Sequence, residues 1–263
     1  MLGLGTGIVK GGGRASNLGI ITDNLVLKHN YDAKQVHQVS TGAADINADA
    51  DANEYINVGT ISLGGSGEND VTMCAWVYPT VWANNGGVVS QRTNAGDKEG
   101  LLLQGNSAGG FKSTFDSGGS TAQVIGTTGK ATHQWYHVCA TWDRSGDQSL
   151  YVNGVLEGSN SISGHASVDI SHSEDVMIGR SYNDTDFRGY ICNVGYWNTP
   201  LSAIQVKSIM WKQYADLTTT EKGSIVGWWN LDSQVGSDGN AGTGYVLNEV
   251  AGAGSTTNIG TLT

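Results

Sequence analysis

Gln134-Trp-Tyr-His-Val-Cys-Ala-Thr-Trp-Asp143, then Arg144-Ser-Gly-Asp147, then Leu150-Tyr-Val-Asn-Gly154, is the stretch whose reading decides the fold. Val138, Ala140 and Trp142 alternate with His137, Cys139 and Thr141, the two-residue period of a strand with one face on a core. Asp143 to Asp147 supplies turn residues. Leu150 to Val152 starts a second strand, and Asn153-Gly154 is the dipeptide best suited to a left-handed two-residue turn. Three consecutive strands, folding back on each other antiparallel, are therefore predicted.

Outward from this hairpin the same pattern continues in both directions. Glu54–Val58 and Val71–Tyr78 read as strands, the second with Val71, Met73, Ala75 and Val77 on one face and Pro79 at its end. Val88–Gln91, Gly100–Gln104, Phe111–Phe115, Val124-Ile125, Val176–Arg180 and Phe187–Trp197 follow, separated by Gly, Asn and Ser clusters at the intervals of an all-β sandwich. Upstream, Asn24–His29 and Gln35–Val39 are two short strand candidates. Only after Trp197 does the period change. Ser202-Ala-Ile-Gln205 is a capping box after Pro200, which predicts one helix over residues 202–214. Thr218-Thr-Thr-Glu221 repeats the box before Gly223, and Ile225–Leu231 is a further strand.

These boundaries divide the chain into a glycine-rich N-terminal arm (1–22), a β domain (23–235) and a glycine-rich tail (236–263). Tyr245–Leu247 and Ile259–Leu262 are short edge candidates in the tail. Arm and tail are expected to order on neighbours, because alone they bury too little apolar surface. Gly 39 against Pro 2, with Trp 8 and Tyr 10, describes a turn-rich chain with large side chains for a core. Its net charge of −10, without any basic cluster, excludes a nucleic-acid binder, which needs cations to release counterions from phosphate. No apolar run approaches the roughly 20 residues of a membrane helix. Met1 to Val9 lacks the charged and apolar blocks of a signal peptide, so synthesis and folding in a reducing cytoplasm are expected. Cys74, Cys139 and Cys192 lie far apart in predicted strands and read as buried free thiols.

Three blocks carry a family resemblance. They are Trp135–Asp143 with Leu150–Gly154; Ile178-Gly-Arg180 leading to Phe187-Arg-Gly-Tyr-Ile191; and Val194-Gly-Tyr-Trp-Asn-Thr-Pro-Leu-Ser202 running into the helix. Their order resembles the laminin-G-like, or concanavalin-A-like, jelly-roll domains over roughly residues 54–203. The resemblance implies two antiparallel sheets face to face, one convex and one concave, with ligands at the loop rim or in the concave groove. Val226–Asp232 also looks like a strand of these domains, here placed after the helix, so it is expected to return and pair with the N-terminal strands. Met1-Leu-Gly-Leu-Gly5 and Trp211–Thr219 are further similar to bacteriophage structural proteins that carry this domain.

Fold does not settle function on this scaffold. Its glucanases use Glu-x-Asp-x-x-Glu, which places an acid and a nucleophile on one strand face, and this chain has no such motif. Gly105-Asn-Ser-Ala-Gly109 matches Gly-x-Ser-x-Gly, yet a strand follows where a nucleophile elbow needs a helix. His29, His37, His133, His137, His165 and His172 read as strand and loop residues. Gly3, Gly5 and Gly7 have no strand before them to make a nucleotide loop. The acidic stretch 40–53, with Asp45, Asp49 and Asp51, lacks the glycine and glutamate of an EF-hand and reads as a solvated loop.

No cofactor or metal site is expected, since acidic turn residues are common without a metal. Domains of this resemblance often hold one calcium ion at the rim, and for that alternative Asp184 and Asp186 are the best placed, followed by Asp143 and Asp147. A sugar would use rings presented from polar loops, and Trp82 and Tyr182 are the candidates for glycan contact. Trp135, Trp142, Trp197, Trp228 and Trp229 read as core. The leading expectation is a non-enzymatic virion protein of a bacteriophage, a capsid decoration or tail or fibre part. It would contact other virion proteins in many copies, and cell-surface glycans as adhesion targets. A carbohydrate-binding, lectin-like module is the alternative, and a polysaccharide hydrolase comes third.

Overall fold

Two antiparallel sheets face each other across one apolar layer, and a helix closes part of one outer face. The computed structural model describes residues 40, 42–46, 55–61, 69–93, 99–168, 170, 174–181, 185–232 and 246–250. Among these, the first strands are β1 (Ala44–Ile46), β2 (Ile56–Thr60), β3 (Val71–Pro79), β4 (Gly87–Arg92), β5 (Glu99–Asn106), β6 (Gly110–Ser117) and β7 (Thr121–Ile125). Next come β8 (Tyr136–Trp142), β9 (Asp147–Val152), β10 (Val155–Ser161), β11 (Asp175–Ile178) and β12 (Gly189–Trp197). Helix α1 (Ala203–Ile209) and the single turn α2 (Thr219–Lys222) precede β13 (Ile225–Trp229). One sheet runs β1-β12-β3-β8-β9-β10, with β13 also on β12; the other runs β2-β11-β4-β5-β6-β7. This is the sandwich expected from the strand spacing and the jelly roll that the family resemblance implies.

The deciding stretch behaves as its period requires. β8 turns Tyr136, Val138, Ala140 and Trp142 into the layer between the sheets, opposite residues of β3 such as Val71 and Ala75. Asn153 (φ 50°) and Gly154 (φ 73°) make the left-handed turn between β9 and β10. The Gly-x-Ser-x-Gly segment is the β5–β6 hairpin, closed by Gly109 N–H donating to Asn106 O (2.9 Å). Cys74, Cys139 and Cys192 are buried free thiols.

Several expectations need correction or fall outside the described residues. The acidic stretch is not all loop: Ala44 and Ile46 are buried and pair with β12, while Asp45 points outward. Period two operates here over only three residues, too few to stand out in the sequence. The helix ends at Ile209 rather than at residue 214, because Met210 O accepts the Trp76 indole N–H (2.7 Å), taking the carbonyl that a continuing helix would need. A 3-10 turn (Tyr214–Asp216) follows instead. The partner described for β13 is β12, through Val194↔Trp229 and Gly195↔Trp228, and Leu231 at φ 58° bends the chain away after it. The arm, the candidate strands within 23–39 and Ile259–Leu262 lie outside the described residues. In the tail, Val246–Val250 is not a strand, but it docks beside β13 through Glu249 N–H donating to Trp228 O (2.9 Å).

Candidate functional site

The outer face of the seven-stranded sheet divides into a covered and an open part. On the covered part, Cys74, Cys139, Tyr151 and Trp197 meet Val206 and Ile209 of α1, with Leu217, Ile225 and Trp228 completing a second core. Both predicted capping boxes form: Ser202 with Gln205 starts α1, and Thr218 with Glu221 starts α2. Trp197 packs edge-on to Trp228 (6.0 Å between ring centroids) and donates its indole N–H to Glu221 O (2.7 Å). The buried Glu221 carboxylate takes the Lys212 ammonium at 2.7 Å. Burial opposes its charge, but hydrogen bonds from Lys212, Thr218 and Ser208 outweigh that and hold its pKa down to about 2. The thiols here are inert. Burial pushes Cys74 up to about 12 and, with Cys74 beside it, raises Cys139 too, so neither offers a thiolate nucleophile.

At the other end of the same face, no helix among the described residues lies over the strands. Strand register sets four side chains abreast there. Asp45 of β1 stands opposite Tyr190 of β12, Tyr190 stands opposite Tyr78 of β3, and Trp135, just before β8, falls next in line. Tyr78 is the hub: its ring lies 5.7 Å from Tyr190, 5.5 Å from Trp135 and 6.0 Å from His133. Trp135 is 43% exposed, so it belongs to this surface row and not to the core, contrary to expectation. The two-residue period does place it with His137 and Cys139, but among the described residues no element covers its end of the sheet as α1 covers theirs.

Gly189 makes the approach of β12 to β3 possible: at φ 142°, a Cβ there would meet Tyr78 O at 1.9 Å. Among the described residues, neither tyrosine hydroxyl, the Trp135 indole N–H nor the Asp45 carboxylate has a hydrogen-bond partner. Burial raises the Asp45 pKa. The row therefore offers ring faces to apolar C–H surface, and unused donors and acceptors to hydroxyl groups. Deeper on this face, His137 is buried against Trp76 (5.6 Å), and burial drives its pKa down to about 3, so it stays neutral.

The residues singled out from the sequence lie elsewhere. Trp82 is half-buried at the sandwich end, edge-on to Phe111 (5.1 Å), with its indole N–H donating to Lys130 O (2.9 Å). Tyr182 and Asp184 fall outside the described residues. Asp186 accepts Arg180 through both oxygens (2.7 and 3.2 Å). Asp143 accepts the Ser145 N–H (3.0 Å) and hydroxyl (2.8 Å), shaping the turn before β9. Asp147 opens β9. A guanidinium on one carboxylate and a turn closed by the other do not fit a calcium site. Among the described residues no group of three or more His, Cys, Asp or Glu is placed to hold a metal ion.

The outer face of the six-stranded sheet is polar and internally bonded. Arg92 pairs with Asp116 at 2.7 Å in a buried position, and Asp175 accepts Asn57 (2.8 Å) and Thr60 (3.0 Å). An acid and a nucleophile or base for glycoside cleavage stand about 5–10 Å apart, where they exchange a proton with the sugar or attack it. Asp116 and Asp175 are each committed to other side chains. Among the described residues no helix is long and apolar enough to cross a membrane.

Comparison with known proteins agrees with this architecture. Residues 50–207 match the laminin-G model described as the concanavalin A-like lectin/glucanases superfamily. The chain belongs to this superfamily. Solved structures of this jelly roll include a heptameric SAP-like pentraxin from Limulus polyphemus (20% identity, TM-score 0.51, 64% of this chain and 80% of that one). Another is a protein from Bacteroides ovatus described as carbohydrate binding (17%, 0.53, 78% and 54%). A third is the CBM40 of Ruminococcus gnavus IT-sialidase bound to α2,3 sialyllactose (13%, 0.51, 64% and 96%). At these identities the likeness is one of fold. No curated protein sequence matches the chain.

Proposed function

We propose that this concanavalin A-like chain is a non-catalytic carbohydrate-binding module, and that the row Tyr190, Tyr78 and Trp135 is its contact surface. The observation that carries the reading is the row itself: three aromatic rings on one sheet face, with their polar ends unpaired among the described residues. A sugar needs both a flat apolar partner for its C–H face and hydrogen-bonding groups around the rim. The carbohydrate-bound and carbohydrate-binding neighbours on the same fold support this reading. The bonded carboxylates of the opposite sheet support a passive role.

The test is a glycan array probed with the full chain and with Trp135→Ala. Binding by the parent and its loss, at least about tenfold, in the variant is expected, since one stacked ring is worth on the order of 1–2 kcal/mol. Binding that survives Trp135→Ala but falls with Trp82→Ala would move the site to the sandwich end. No binding to any glycan would end the reading.

The setting we propose is a bacteriophage particle, where the domain acts as a capsid decoration or a tail or fibre part that contacts other virion proteins and cell-surface glycans. The similarity of Met1–Gly5 and of Trp211–Thr219 to phage structural proteins supports this setting. Dissociated particles analysed by gel and mass spectrometry should contain the chain in many copies, and its absence would remove the virion from the proposal.

A further inference from the structure

The row has unlike ends. At one end stands the Trp135 indole. At the other, on the edge strand β1, stands the Asp45 carboxylate, exposed, directly opposite Tyr190 and without a hydrogen-bond partner among the described residues. Neighbouring strands are about 4.8 Å apart, so the four side chains span about 14 Å across the sheet. A ligand lying along the rings would therefore run perpendicular to the strands and bring one end against Asp45.

A carboxylate in that position accepts two hydroxyl hydrogens, or one ammonium group, and repels another carboxylate. Nothing on β1 relieves the repulsion, since Ala44 and Ile46, its neighbours, are apolar and turned inward. The nearest cation along β12 is Arg188, two residues from Tyr190, half-buried, with its backbone carbonyl accepting Thr80 N–H (2.9 Å). The protein as a whole carries a net charge of −10, which adds to the local bias against acidic ligands.

We infer that the row selects glycans built of neutral or amino sugars, with Asp45 accepting hydrogen bonds from the terminal unit and turning away sialylated and uronate-bearing chains. The inference rests on the carbohydrate-binding reading of the row. It separates this site by ligand class from the sialyllactose-bound neighbour of similar fold.

The experiment is a set of matched glycan pairs, each a neutral hexose or N-acetylhexosamine oligosaccharide printed beside its sialylated or C6-oxidised counterpart. The full chain, Asp45→Asn, Arg188→Gln and Trp135→Ala are compared on it at low and high salt. The parent is expected to bind the neutral member about tenfold more tightly, a difference that shrinks with salt as the charges are screened. Asp45→Asn should bring the two members within about threefold while still binding. An unchanged thermal midpoint for this exposed substitution confirms that the sheet is intact.

Equal binding of both members by the parent overturns the inference, as does a ratio that Asp45→Asn leaves unchanged. A preference for acidic members that Arg188→Gln abolishes would assign charge selection to Arg188 and overturn it as well. Failure of the underlying reading looks different: no pair bound at all, or binding indifferent to Trp135→Ala.

Discussion

The two halves of one sheet face are made of similar residues and do opposite things. At the α1 end, Cys139, Cys74 and Trp197 alternate outward from β8, β3 and β12 and lie buried under Val206 and Ile209. At the β1 end, Tyr190, Tyr78 and Trp135 point outward from the same sheet and stay open to solvent. The difference comes from what crosses above them, which is decided by the chain after Trp197 and not by the strands. An outward aromatic is thus structural under the helix and available as a contact surface beyond it.

The contrast can be broken from its strongest point downward. Trp197→Ala removes a fully buried indole and its hydrogen bond to Glu221 O, and should cost about 3–5 kcal/mol in denaturant unfolding. A loss under about 1 kcal/mol would mean that the helix end is no true core. Glu221→Gln tests the polar lock on the same half. The carboxylate is ordinarily protonated near 4.5 when unfolded and near 2 here, so its stabilisation is complete above pH 4.5 and disappears as pH falls toward 2. The parent should exceed the variant by on the order of 2–3 kcal/mol at pH 7, and the gap should close by pH 2. A gap independent of pH would reassign the effect to packing.

Smaller changes sharpen the comparison. Gly154→Ala, at φ 73° beside Lys207 of α1, should cost about 1 kcal/mol through backbone strain, read as a lower thermal midpoint. Trp135→Ala on the open half should cost no more than about 1 kcal/mol, the scale of a cross-strand aromatic pair, while, on the function proposed above, weakening glycan binding about tenfold. A Trp135→Ala protein as damaged as Trp197→Ala would show that the two halves do not differ.

Much of this was legible in advance. β3 and β8 follow local alternation, several other strands show as short apolar runs between turn residues, and the Ser202 and Thr218 capping boxes form as their spacing requires. β1 was not legible, because three residues within an acidic stretch carry too little pattern. The helix end was hidden because the Trp76 indole that claims Met210 O is remote in sequence. Trp82 looked like a presented ring, but Phe111 and Lys130 draw it onto the sandwich end. Trp135 looked like core, because periodicity says which residues share a face and is silent on whether anything covers it.

The sequence by itself determined a series of strands, three of them adjacent in hairpins, and two capped helix starts, since side-chain period and turn preference act between near neighbours. The stacking of two sheets came from the family resemblance. The tertiary structure alone decided that Asp45, Tyr190, Tyr78 and Trp135 stand in one row and that α1 stops short of them. Strand register and helix reach are set by contacts between residues far apart in the chain, and a surface site of this kind exists only once those contacts are made.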